Sequence, residues 1–145
     1  MEKAAVYTDL SSFFHSRVRG DLRQSVIISE RFWDKDTDKP TEFVIRGISE
    51  AENEAIKAAA RRPAFGEGQE YRFDNKNYCN RLIVAATVYP NFKNLELQRD
   101  WGALNAEDLV CKMLLAGEYA KLLAAVKKLS GFDENIYELK NIVKN

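Results

Sequence analysis

One histidine, two cysteines and a few spaced carboxylates are the residues of this chain whose types could do chemistry. His15 could act as a general base if a nucleophile stood beside it. It follows Phe13 and Phe14 in a short amphipathic stretch, and no motif sets a serine or cysteine nearby. Cys79 and Cys111 lie far apart, and with a single histidine they do not supply the close N and S ligands that zinc needs. Asp34, Asp36 and Asp38 have the spacing that opens a calcium-binding EF-hand loop, which also needs glycine at its sixth position and a bidentate glutamate at its twelfth. Those positions hold Lys39 and Ile45, so a solvated hairpin tip is expected there instead. Gly66 and Gly68 lack the third glycine of a dinucleotide fingerprint and the Lys-Ser/Thr of a phosphate loop. Glu67 and Glu70 would need a pocket that separates their pKa values before they could do acid–base work. No catalytic residue, metal ligand or cofactor site is expected.

The elements that would position such groups are legible. Leu10, Phe13, Phe14 and Val18 give Asp9–Val18 a helical stripe. Residues 25–33 and 41–48 are rich in β-branched and aromatic side chains and read as a hairpin around a polar connection, Asp34–Pro40. Phe43 and Ile45 fall on one face of that hairpin, Val44 and Ile48 on the other. Ser49 and Glu52 form a capping box that opens a helix Glu50–Arg62, and Pro63 follows. Residues 63–72 read as a loop. Asp74 can cap a helix that carries the apolar run 82–89 and stops before Pro90; a buried strand is the other reading of that run. Pro90 to Asp133 carries three short helices. Asn105 caps Ala106–Leu115, Gly117 breaks the run, and Glu118–Leu129 stops at Gly131, which can take the left-handed conformation. A last helix is expected from Glu134 to about Val143. The fold class is α+β and mainly α-helical: an N-terminal helix, a β-hairpin and a bundle of about five helices, in a single domain, 1–145.

Without a reaction centre, binding is the activity left, and it calls for apolar surface beyond what one core uses. Leu109 and Met113 on the first long helix, and Tyr119, Leu122 and Val126 on the next, make stripes that could hold a partner. The same stripes are what a core-facing helix shows. Trp101, just before Gly102, either anchors a partner or plugs the junction between helices.

Twenty-two basic and 22 acidic residues balance, so no strong field favours nucleic acid or membrane. The polar N-terminus does not read as a signal peptide, no apolar run approaches a membrane span, and buried free thiols are expected of both cysteines, so a soluble intracellular protein is the expectation.

Several short motifs carry a resemblance. Glu96-Leu97-Gln98, Trp101-Gly102, the D-L-V-x-K-M-L-x-A-G-E-Y run of 108–119 and S-G-F-D at 130–133 resemble the tail assembly chaperones of bacteriophages, in particular the XkdN-like group of prophage elements with contractile tails. Pro90-Asn91-Phe92, S-x-R-F at 29–32 and I-S-E at 48–50 extend it more loosely. The resemblance implies a non-enzymatic helper in the bacterial cytoplasm, absent from the finished virion. Its implied partners are the tail tape measure protein and the tail tube protein, the latter through a frameshift-extended form. Several copies would suit a long helical client, so a homo-oligomer fits. A prophage-encoded regulatory module and a minor structural tail protein are the alternatives.

Overall fold

The computed structural model describes residues 9–18, 22–63 and 71–132. Its elements are mixed α+β and mainly helical. Asp9–Val18 does not form the expected α-helix: only a 3-10 turn, Ser11–Phe13, is present. The Asp9 carboxylate accepts from the Ser11 N–H at 2.9 Å, as an N-cap would. Leu10, Phe13, Phe14 and Val18 stand exposed, and none of the residues in that turn is buried. A helix this short gains little from propensity alone.

The hairpin forms with tighter bounds than its composition suggests. Strand β1 (Arg23–Val26) pairs antiparallel with β4 (Phe43–Arg46), with Val26 opposite Phe43. The connection folds into a smaller ladder, β2 (Trp33–Asp34) on β3 (Lys39–Pro40). The Asp34 carboxylate accepts from the Asp36 N–H and the Thr37 hydroxyl, and Asp38 takes φ 54° in the turn. The three aspartates therefore shape a turn. Alternation along β4 buries Phe43 and Ile45 against the helices, as their spacing predicts. Ile27 and Trp33 stand half exposed on the opposite side.

Helix α1 (Glu50–Ala59) begins at Ser49, whose hydroxyl accepts from the Glu52 N–H at 3.2 Å. It stops earlier than expected. Residues 61–63 continue as β5 (Arg61–Pro63), paired with β6 (Tyr71–Phe73), so both ends of the expected loop are strand. Helix α2 (Asn75–Ala86) is capped by Asp74, as expected, but it ends before Tyr89. The last residues of the apolar run form β7 (Thr87–Tyr89), which completes a sheet of order β1–β4–β7. The run that reads as a helix, with a buried strand as the alternative, is both. Its first part fills the centre with Leu82, Ile83 and Ala86, and its β-branched end pairs with the free edge of β4 through a register shift at Val44/Ile45.

Three helices follow Pro90: α3 (Leu95–Asp100), α4 (Ala106–Met113) and α5 (Ala116–Leu129). Asn94 and Asn105 cap the first two, accepting from Leu97 and Asp108 N–H groups at 2.9 and 2.8 Å. Gly117 is not the breaker: it lies in the first turn of α5, and the chain turns at Leu114–Leu115 instead. The Glu118 carboxylate makes that possible by accepting the Leu115 N–H at 2.8 Å. Gly131 ends α5 at φ 88°, with the Gly131 and Phe132 N–H groups donating to the Lys128 and Lys127 carbonyls, the paired bonds of a Schellman motif. Gly102 closes α3 in the same way at φ 65°. The helix expected over 134–143 lies outside the described residues.

Helix α2 sits at the centre, packed by α1, α4 and α5, while α5 also reaches β4. Phe43, Ile45, Leu82, Ile83, Phe92, Leu109, Val110, Leu122 and Val126 are the large side chains fully buried there. Cys79 is a buried free thiol, whereas Cys111, expected to be buried, is exposed.

Candidate protein interface

Two polar devices fix the helical block. At the α4–α5 turn, the Arg31 guanidinium reaches across from the loop after β1 and grips both oxygens of Glu118, at 2.9 and 2.6 Å. It also donates to the Met113 carbonyl at 2.9 Å, one of the orphan acceptors at the end of α4. The bidentate fork, helped by the Ser29 side chain and the Leu115 N–H, holds the Glu118 carboxyl down at about 2 although burial opposes this. Arg31 and Glu118 belong to the S-x-R-F and A-G-E-Y motifs, so the fold brings together two segments that carry the sequence resemblance.

The second device pins the α3–α4 turn. Lys112 donates to the Gly102 carbonyl at 2.8 Å and lies 3.2 Å from Asp108, which accepts the Leu104 N–H at 2.8 Å. The Leu104 and Lys112 contacts hold the Asp108 carboxyl below the usual carboxylate range. The result is a turn whose backbone is locked from several directions. At the other end of α3, the Gln98 amide donates to the Phe92 carbonyl at 2.8 Å, satisfying a buried acceptor in the segment before the helix.

Of the six residues that the sequence offers for binding, the fold leaves one at the surface. Leu109, Leu122 and Val126 are fully buried and Met113 nearly so; all four build the core among α2, α4 and α5. Tyr119 is partly buried. Its hydroxyl donates to Asn80 Oδ1 at 2.7 Å, the Lys76 ammonium sits 3.7 Å from its ring centroid, and burial pushes its pKa up to about 12. It ties α5 to α2. Trp101 remains 37% exposed on the pinned turn.

Two leucines that periodicity alone did not single out are also exposed, Leu104 in the turn and Leu95 at the far end of α3. Leu104 is 88% exposed and Leu95, at the first position of α3, is 63% exposed. The available signal was positional. Leu104 lies between the Gly102 turn and the Asn105 cap, where neither helix can cover it. A rigid turn displaying large apolar groups can bind another protein with little ordering cost. No group of His, Cys, Asp or Glu able to hold a metal occurs among the described residues. No helix there is long and apolar enough to cross a membrane.

Known proteins resemble this chain over most of its length. The chain is 30% identical over 145 residues to the protein YqbN of Bacillus subtilis strain 168, covering 94% of this chain and 93% of that one. It is 26% identical over 152 residues to the phage-like element PBSX protein XkdN of the same organism, covering 99% of each. The crystal structure of YqbN superposes with a TM-score of 0.73 at 27% identity, covering 86% of this chain and 98% of that one. Residues 10–144 match the model of the phage XkdN-like tail assembly chaperone proteins. With that match spanning nearly the whole sequence, the chain belongs to the family of phage XkdN-like tail assembly chaperones.

Proposed function

We propose that this chain binds the tail tape measure protein and helps bring tail tube subunits to it while the tail is being assembled. It acts by shielding, without turnover, in the host cytoplasm, and leaves before the particle is complete. The observation that carries the reading is the pinned α3–α4 turn, which holds Trp101 and Leu104 toward solvent, with Leu95 exposed at the other end of α3, in a chain of a tail assembly chaperone family. Tryptophan and leucine displayed on a rigid turn suit the apolar stripe of a helical client. Several copies spaced along one long client would keep its stripes covered until tube subunits replace them.

Co-expression with the tape measure protein, pull-down and size exclusion test this. A soluble complex is expected, weakened about tenfold or more by Trp101→Ala, which removes a large apolar contact. Leu104→Glu serves as a second probe, since its side chain lies outside the core. A client that stays soluble alone, or that forms no complex, would overturn the reading.

A further inference from the structure

We infer that the segment 9–18 is a second binding element, one that folds into a helix against an apolar, carboxylate-bearing stripe on a helical client. The inference rests on the client reading above. Leu10, Phe13, Phe14 and Val18 span an arc of about 140° at 100° per residue, the pattern of a helix with one covered face. In the structure all four are more than half exposed, and Phe13 is 76% exposed. Helix formation has started and stopped. Asp9 caps the first turn, Phe13 N–H donates to the Leu10 carbonyl at 2.9 Å, and Val18 N–H to the Phe14 carbonyl at 3.1 Å, with only a 3-10 turn between.

A nascent helix with an uncovered apolar face gains its missing stabilisation when a partner covers that face. Spacing and charge identify the partner. Anchors at i, i+3, i+4 and i+8 are what an apolar groove or helix stripe takes up. Arg17 falls inside the same arc, so a surface that accepts the stripe must place a carboxylate opposite it.

Hydrogen exchange by mass spectrometry on the full-length chain, alone and co-purified with the tape measure protein, tests the inference. Amides of residues 10–18 are expected to slow in the complex. The double variant Phe13→Ser/Phe14→Ser should weaken pull-down about a hundredfold, because two large apolar contacts are lost. Arg17→Glu should weaken it about tenfold, with Arg17→Lys retaining most of the binding. An intact complex whose 10–18 amides exchange as before, and which ignores these variants while responding to Trp101→Ala, would overturn the inference and leave the client reading standing. No complex with the unaltered chain would remove both. Sedimentation of the chain with phosphatidylcholine vesicles containing phosphatidylserine, lost in the double variant, would overturn it in favour of a membrane surface.

Discussion

In α5, Leu122 and Val126 recur at helical spacing and have no exposed surface. In segment 9–18, Leu10, Phe14 and Val18 recur at the same spacing and stand in solvent. The first is a complete helix of 14 residues; the second is a single 3-10 turn. Both begin with a side-chain carboxylate on a backbone N–H, Glu118 on Leu115 and Asp9 on Ser11, so capping does not separate them. Burial does. Helix α5 packs against α2 and β4, while the N-terminal stripe stands exposed among the described residues. Apolar period marks where a helix can form, and packing decides whether it does.

The largest effect is expected from the covered stripe. Leu122→Ala should destabilise by about 2.5–5 kcal/mol, the transfer and cavity cost of truncating a fully buried leucine, read from urea unfolding followed by circular dichroism. A cost below about 1 kcal/mol would mean that α5 is not held by its apolar face.

A smaller loss should follow from the clamp that sets the start of α5. Arg31→Met leaves the Glu118 carboxylate without its fork and should lower stability by less than Leu122→Ala does, because Arg31 itself is partly exposed. The pH dependence has a definite sign. The Glu118 carboxyl is held at about 2 in the folded chain, against an unfolded value near 4.5. Its stabilisation is therefore complete above about pH 4.5 and disappears as pH falls toward 2. The stability gap between the unaltered chain and Glu118→Gln should close across that window; a gap independent of pH would show that the fork adds nothing to stability.

The smallest effect belongs to the uncovered stripe. Phe13→Ser/Phe14→Ser should change the stability of the chain by less than about 0.5 kcal/mol, as for surface sites that touch no core. A loss comparable to that of Leu122→Ala would erase the contrast between the two regions.

How much could be read beforehand follows the range of each interaction. Caps at Ser49, Asp74 and Asn105 act within three residues, and the turn at Gly131 needs only a left-handed backbone; all were legible. The third strand was legible only as the second reading of the run 82–89. Thr87–Tyr89 is strand because β4 offers an edge, and that edge is made by residues far away in sequence. The α4–α5 break was assigned to Gly117 by composition, whereas it depends on Glu118, whose grip on Arg31 spans 87 residues. Among the binding candidates, periodicity grouped Leu109, Met113, Tyr119, Leu122 and Val126 correctly on helix faces. It could not say that α2 already occupies those faces. Trp101 stayed at the surface because a helix end next to a glycine turn has no following turn to bury it.

The place of β4 in its sheet also sets an order of events during synthesis. One neighbour, β1, leaves the ribosome first, while the other, β7, follows only after α1 and α2 have been made. At roughly 5–20 residues per second, β4 waits some seconds with one row of backbone groups unpaired. During that interval the newborn chain presents the kind of open edge that invites another strand to add. Crowded polysomes making this protein would feel that hazard at β4, whose two edges are both paired in the finished sheet.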